Sequence, residues 1–234
     1  MTKQILCELT LIWKKLGKPY NHQDDQLFHE FCENHLWFDW IDEMNDEWDD
    51  SMGEPTHFIV VRDPIDRFTS MFGYVCGLYK NCGQGTDSIH VTAQLVYEML
   101  MYEREPIGLN DLNQFKHHFE PHTWYCDIGL NRDLYEVVYY SPNRLLNMAQ
   151  MQKIFDQAGI PIEYSKRALE RLLNGETNPN RNHTQYEIWR KEILGNPHTL
   201  AYILASYESD YRSFSFEKPN IHEEWIEFVE NLEI

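Results

Sequence analysis

"HFIVVRDPIDRFTSMF", residues 57–72, decides how the rest of the chain is read. His57–Val61 is a short apolar run, rich in β-branched residues and bounded by turn signals, which reads as a buried strand. The run stops at Arg62-Asp63-Pro64. Proline suits the first turn of a helix, where its missing N–H is no loss, so a helix is predicted from Pro64 to about Cys76. Arg62 thus stands at the carboxyl end of a strand, where parallel sheets bind their ligands. Ser70 lies eight residues on, about two turns along the helix, with Arg67 one turn inside it. A planar guanidinium fork and a hydroxyl facing one pocket make an anion site suited to phosphate. The plainer alternative is an ion pair between Arg62 and Asp63, and spacing alone leaves both open.

Outward from this stretch, strand and helix signals alternate. "YEVVYYS" (135–141) reads as a second strand, and Pro142 opens a helix to about Ala158, with Gly159 as its cap and Pro161 restarting the chain. Further helices are predicted at 91–103, 163–173, 184–194 and 197–213. Loops fall at 79–88, 108–113 and 174–184. Upstream, residues 1–17 carry Ile5, Leu9, Ile12 and Leu16 on one helical face, and a Trp-rich acidic helical stretch follows at 24–48. The carboxylates of 42–55 lack the ligand spacing of a calcium loop and read as a solvated face. The pattern predicts an α/β layer fold, helix-rich, with a parallel sheet flanked by helices.

The totals bound the function. The chain has 234 residues, enough for one large domain or a domain with a small appendage. Its 38 acidic against 20 basic residues give a formal charge of -18, which argues against general binding of nucleic acid or anionic membrane but leaves room for a local basic pocket. Five cysteines (7, 32, 76, 82 and 126) include no Cys-x-x-Cys, and no run approaches the roughly 20 apolar residues of a membrane span. No signal-peptide pattern opens the chain, so read literally it is soluble and untargeted.

"VVRDPIDRFTSMF" resembles the 3′-phosphate-binding segment of sulfotransferases that use 3′-phosphoadenosine 5′-phosphosulfate, in the Arg-Asp-Pro-x-x-Arg-x-x-Ser form of the Golgi carbohydrate enzymes. "HHFEPHTWYCDIG" (117–129), residues 135–161, "NRNHT" (180–184) and residues 193–216 resemble, in order, later blocks of an invertebrate branch related to chondroitin sulfotransferases. The resemblance covers about 57–216 and implies a single sulfotransferase-like domain over 1–234 with a P-loop-like α/β fold. It further implies Arg62 and Ser70 as binders of the 3′-phosphate, 3′-phosphoadenosine 5′-phosphosulfate as sulfonate donor, a glycan or proteoglycan acceptor such as chondroitin, and a Golgi membrane location. By position in the His-Phe block, His118 is the candidate general base, set against a histidine that only packs or caps a loop.

Other constellations are weaker. His118, His122 and Cys126 fall four apart, but Pro121 interrupts the helix a zinc face would need, and no metal is expected. Arg181 and His183 flank a loop able to close on a ligand, whereas Thr184 with Glu187 fits a capping box at a helix start. The family's 5′-phosphosulfate loop, with its Lys and nearby Ser or Thr, has no counterpart in this sequence, and the expected fold lacks its first strand. Either the protein begins upstream of Met1, or the chain is complete and catalytically weak. As written, poor activity is expected. A kinase-like alternative is disfavoured because no Gly-rich loop ending in Lys-Ser/Thr occurs.

Overall fold

The computed structural model describes residues 56–82, 88–104, 112–174 and 183–221. The helices expected at 1–17 and 24–48, most of the 174–184 loop and Arg181 lie outside the described residues. In chain order the elements are β1 (Phe58–Val61), α1 (Pro64–Met71), a π-helical stretch (Phe72–Leu78), α2 (Ile89–Tyr102), α3 (Leu112–Phe119), a 3-10 turn (His122–Trp124), α4 (Ile128–Asn131), a second 3-10 turn (Arg132–Leu134), β2 (Glu136–Tyr139), α5 (Arg144–Gln157), α6 (Ile162–Asn174), α7 (His183–Gly195), α8 (Pro197–Ser206) and α9 (Glu208–Ser213). The chain divides into two compact units, Met1–Val61 with Cys126–Glu176, and Arg62–Tyr125 with Thr177–Ile234.

The first unit holds the sheet. β1 and β2 pair in parallel, with Phe58 opposite Glu136 and Val61 opposite Tyr139. The ladder runs one bond further at each end, from Glu136 N–H to the His57 carbonyl and from Tyr140 N–H to the Val61 carbonyl. α5 and α6 cover it through a core of Val138, Met151, Ile154, Phe155, Ala168 and Leu169. α5 also closes the edge of β2 with side-chain amides. Gln150 accepts from Tyr139 N–H and donates to the Tyr139 carbonyl, both at 2.9 Å, and Asn147 does the same for Ser141 at 2.7 Å. These amides supply the partners that a neighbouring strand would, so the edge is blunted. Pro142 lies just before α5, whose cap is Asn143, accepting from Leu145 N–H. Gly159, at φ +68°, ends α5 as expected, with Ile160 N–H bonded back to the Phe155 carbonyl, the pattern of a Schellman cap.

The second unit is helical. Asp63 caps α1 by accepting from the N–H groups of Ile65 and Asp66, and Pro64 takes the first position, so Arg-Asp-Pro is a helix-start signal as read. The α-helix ends at Met71 and the chain widens into π geometry through Leu78. Gly73 sits where the π-helical stretch meets Trp189 of α7; a Cβ there would lie 2.9 Å from the indole. Phe68, Phe72, Val75, Val96, Phe115, Phe119, Ile203 and Tyr207 form the core shared by α1, the π-helical stretch, α2, α3 and α8 with its C-cap. Three corrections follow. A helix begins at Leu112, inside the span read as a turn. α7 begins at His183, so Thr184 lies in its first turn rather than at its cap. The helix expected over 197–213 is two, broken at Tyr207. Cys76 and Cys82 are joined by a disulfide, a pairing left open in the sequence. Among the described residues no helix is long and apolar enough to cross a membrane.

Candidate functional site

Two networks in the second unit involve α1, one built on Arg62 and the other on the His118 block. The first starts at Arg62, directly after β1. Its Nη2 donates to the Tyr186 hydroxyl at 2.8 Å, and its guanidinium carbon lies 5.5 Å from the centre of the Tyr186 ring. Tyr186 in turn reaches the Asp66 carbonyl, and Asp66 accepts from Arg190 Nε at 2.7 Å. Burial raises the Tyr186 phenol, against the pull of the Arg62 charge, so the ring stays neutral and acts as a fixed support for the cation. Burial also pushes the Asp63 carboxyl up, opposed by the N–H groups it caps. Asp63 is therefore occupied as a helix cap, and the ion pair of this turn is Asp66 with Arg190.

Neighbouring hydroxyls on α1 divide cleanly. Thr69 is buried and donates to the Ile65 carbonyl at 2.7 Å, spending its hydroxyl on its own helix. Ser70 is exposed. Of the two, only Ser70 can meet a ligand. A cavity of about 200 Å³ opens beside Asp63, Ile65 and Arg190, against Glu217 and Lys218. It falls below the roughly 300–1,000 Å³ of typical small-molecule sites and is not assigned to the nucleotide.

The second network fixes the His-Phe block. The last carbonyls of a helix have no partner inside it. At the end of α3, four consecutive ones are met by side chains from elsewhere. Tyr125 donates to the His117 carbonyl at 2.6 Å, Arg67 to those of His118 at 3.4 Å and Glu120 at 2.5 Å, and Tyr207 to that of Phe119 at 2.7 Å. The Arg67 cation also suits the negative end of the helix. Its Nη1 lies 3.6 Å from Asp210, whose side chain is 1% exposed. Asp210 accepts from the N–H groups of His122 and Thr123 and from the Thr123 hydroxyl, each at 2.9 Å. His122 is pushed down to about 3 by burial and by the Arg67 charge, so its ring is neutral.

His118 sits in the last turn of α3, half-buried, with its ring stacked on Tyr74 at 5.2 Å between centroids. Tyr74 is four residues beyond Ser70 on the same continuing helix. It is pushed up to about 12, chiefly by its hydrogen bond with Tyr79. Arg62, Ser70 and His118 thus share one unit, with Ser70 and His118 related through Tyr74. Of the trio weighed for zinc, His118 closes α3 and His122 lies in a 3-10 turn beyond Pro121, so the helix is interrupted as expected. Among the described residues, no group of three or more His, Cys, Asp or Glu is placed to hold a metal ion.

Sequence reasoning missed Tyr186, Arg190, Asp210 and the anchoring role of Arg67. The four-residue spacing of Tyr186 and Arg190 was a usable signal, since it puts both on one face of α7.

A strand leading into a capped helix, with a parallel partner strand and helical layers, defines an α/β protein. The Sulfotransferase family model matches residues 1–217, and the chain belongs to that family, with its α/β fold. Its relatives include a Caenorhabditis elegans protein named "Putative sulfotransferase vep-2", 26% identical over 155 residues, which are 60% of this chain and 46% of that protein. An uncharacterised protein of the same nematode is 27% identical over 174 residues, 69% of this chain and 47% of the relative. The chain spans about half the length of these relatives. No solved structure gives a significant match.

Proposed function

We propose that this chain, read as one domain over residues 1–234, is a carbohydrate sulfotransferase. It would move a sulfonate from 3′-phosphoadenosine 5′-phosphosulfate to a hydroxyl of a glycan, chondroitin being the acceptor the sequence resemblance favours. The observation that carries the reading is Arg62: a strand-end guanidinium seated on a neutral Tyr186, just ahead of a helix whose exposed hydroxyl is Ser70 and whose buried one, Thr69, is already spent. That donor set fits a phosphate dianion, which takes a planar fork and a hydroxyl donor. When bound, the donor supplies a sulfonate on a phosphate leaving group. Arg62 and Ser70 hold its 3′-phosphate. His118, set by Arg67 and backed by Tyr74, takes the proton of the acceptor hydroxyl. The Cys76–Cys82 disulfide suits an oxidising compartment and supports placement in the secretory pathway, at the Golgi.

The test is transfer of labelled sulfonate from the donor to unsulfated chondroitin. Label should enter the glycan, and His118→Gln should cut turnover by about 10²-fold or more with the donor affinity kept. A wild-type chain that binds the nucleotide and transfers nothing favours the second reading, a family member that binds nucleotide or glycan without catalysis.

A further inference from the structure

The rings around His118 do not stop at Tyr74. Tyr125, His117, His118, Tyr74 and Tyr79 form a continuous row, with successive centroids 5.4, 6.0, 5.2 and 4.8 Å apart. His117 and Tyr79, on either side of His118 in the row, are exposed, and the other members are half-buried. The candidate base is the middle ring.

The row is tied down at both ends. On one side Tyr79 N–H bonds to the Tyr74 carbonyl, Asn81 N–H to the Val75 carbonyl, and the Cys76–Cys82 disulfide ties the segment to the π-helical stretch. On the other, Tyr125 is bound to the His117 carbonyl, while Arg67 and Tyr207 fix the backbone of 118–120. Exposed rings on a fixed backbone lose little entropy when a ligand covers them. The apolar faces of pyranose rings pack on aromatic faces, and the spacing of the row is near the rise of one sugar unit.

We infer that this row is the track for the acceptor, and that the acceptor is a glycan chain laid across His118 rather than a terminal sugar. This rests on the sulfotransferase reading and deepens it. Rings on both sides of the base select an internal sugar, with the units before and after it supported by Tyr79 on one side and by His117 and Tyr125 on the other.

The experiment uses the full chain and two probes, 3′-phosphoadenosine 5′-phosphate and unsulfated chondroitin oligosaccharides of two, four and six sugars. Calorimetry measures both probes on wild type, Tyr79→Ala and Tyr79→Phe. Affinity should rise from disaccharide to hexasaccharide. Tyr79→Ala should weaken the hexasaccharide about fivefold to tenfold, with Tyr79→Phe near wild type and nucleotide affinity unchanged in all three. Saturation-transfer spectra of wild type, irradiated at aromatic protons, should show signal on the ring protons of successive sugars, a readout that needs no variant. Nucleotide binding with no oligosaccharide binding, a disaccharide bound as well as the hexasaccharide, or an unchanged Tyr79→Ala each overturns the track and leaves the nucleotide site standing. Loss of both probes in wild type overturns the sulfotransferase reading as well.

Discussion

Replacing Arg67 with methionine should cost about 3 kcal/mol of stability, and the figure follows from what the guanidinium touches. The Arg67 side chain is 11% exposed and its carboxylate partner Asp210 1%. Removing one member of a buried pair costs about 3–5 kcal/mol, because the other charge is left in place. Here Asp210 keeps three neutral donors, from His122 and Thr123, which holds the loss toward the low end. Methionine keeps the apolar stem over the Tyr207 ring, where the Arg67 guanidinium carbon lies 5.7 Å from the centroid. The carbonyls of His118 and Glu120 lose their donor at the same time. Urea unfolding followed by tryptophan fluorescence measures the change, with the m value checked for constancy. The double variant Arg67→Met, Asp210→Asn should recover about 1 kcal/mol or more relative to the sum of the single losses. A single-variant loss below about 1 kcal/mol, or full additivity, would refute the claim that this pair anchors the His-Phe block.

Two further outcomes are expected. His122, pushed from 6.5 in a free chain down to about 3, is neutral when folded. Below pH 6.5 the unfolded chain therefore binds the extra proton, so this contribution is present above that pH and lost on acidification. It should amount to about 2 kcal/mol between pH 7.5 and pH 5, and a His122→Gln variant should lack that share of the slope. Gly73→Ala should destabilise by about 1–3 kcal/mol, since its Cβ would stand 2.9 Å from the Trp189 ring; a melting point unchanged from wild type would show that the indole gives way freely.

Much of this was legible in the sequence because the signals are local. β-Branched residues before Arg62, Asp-Pro after it and Gly159 at a helix end each act over a few residues, and all three hold. The change to π geometry at Phe72 was not legible; the stretch packs on Trp189, more than a hundred residues away. Arg62 could be named from its place at a strand end. Tyr186 shares a helix face with Arg190 at four-residue spacing, but nothing local in that spacing names Arg62, 124 residues away, as its partner. Arg67 was visible as a residue of the motif but not as an anchor, for its work is on the carbonyls of another helix. The start of α3 was hidden by turn-forming Gly108 and Asn110 just ahead of Leu112.

The proposed function stands or falls on Arg62 binding the 3′-phosphate of the donor nucleotide. Calorimetric titration of 3′-phosphoadenosine 5′-phosphate into wild type and Arg62→Ala tests it most directly. Wild type should bind, and Arg62→Ala should lose about 1.5–3 kcal/mol, the worth of a charge-assisted contact. Equal affinity in the two proteins, or no binding by wild type, would contradict it.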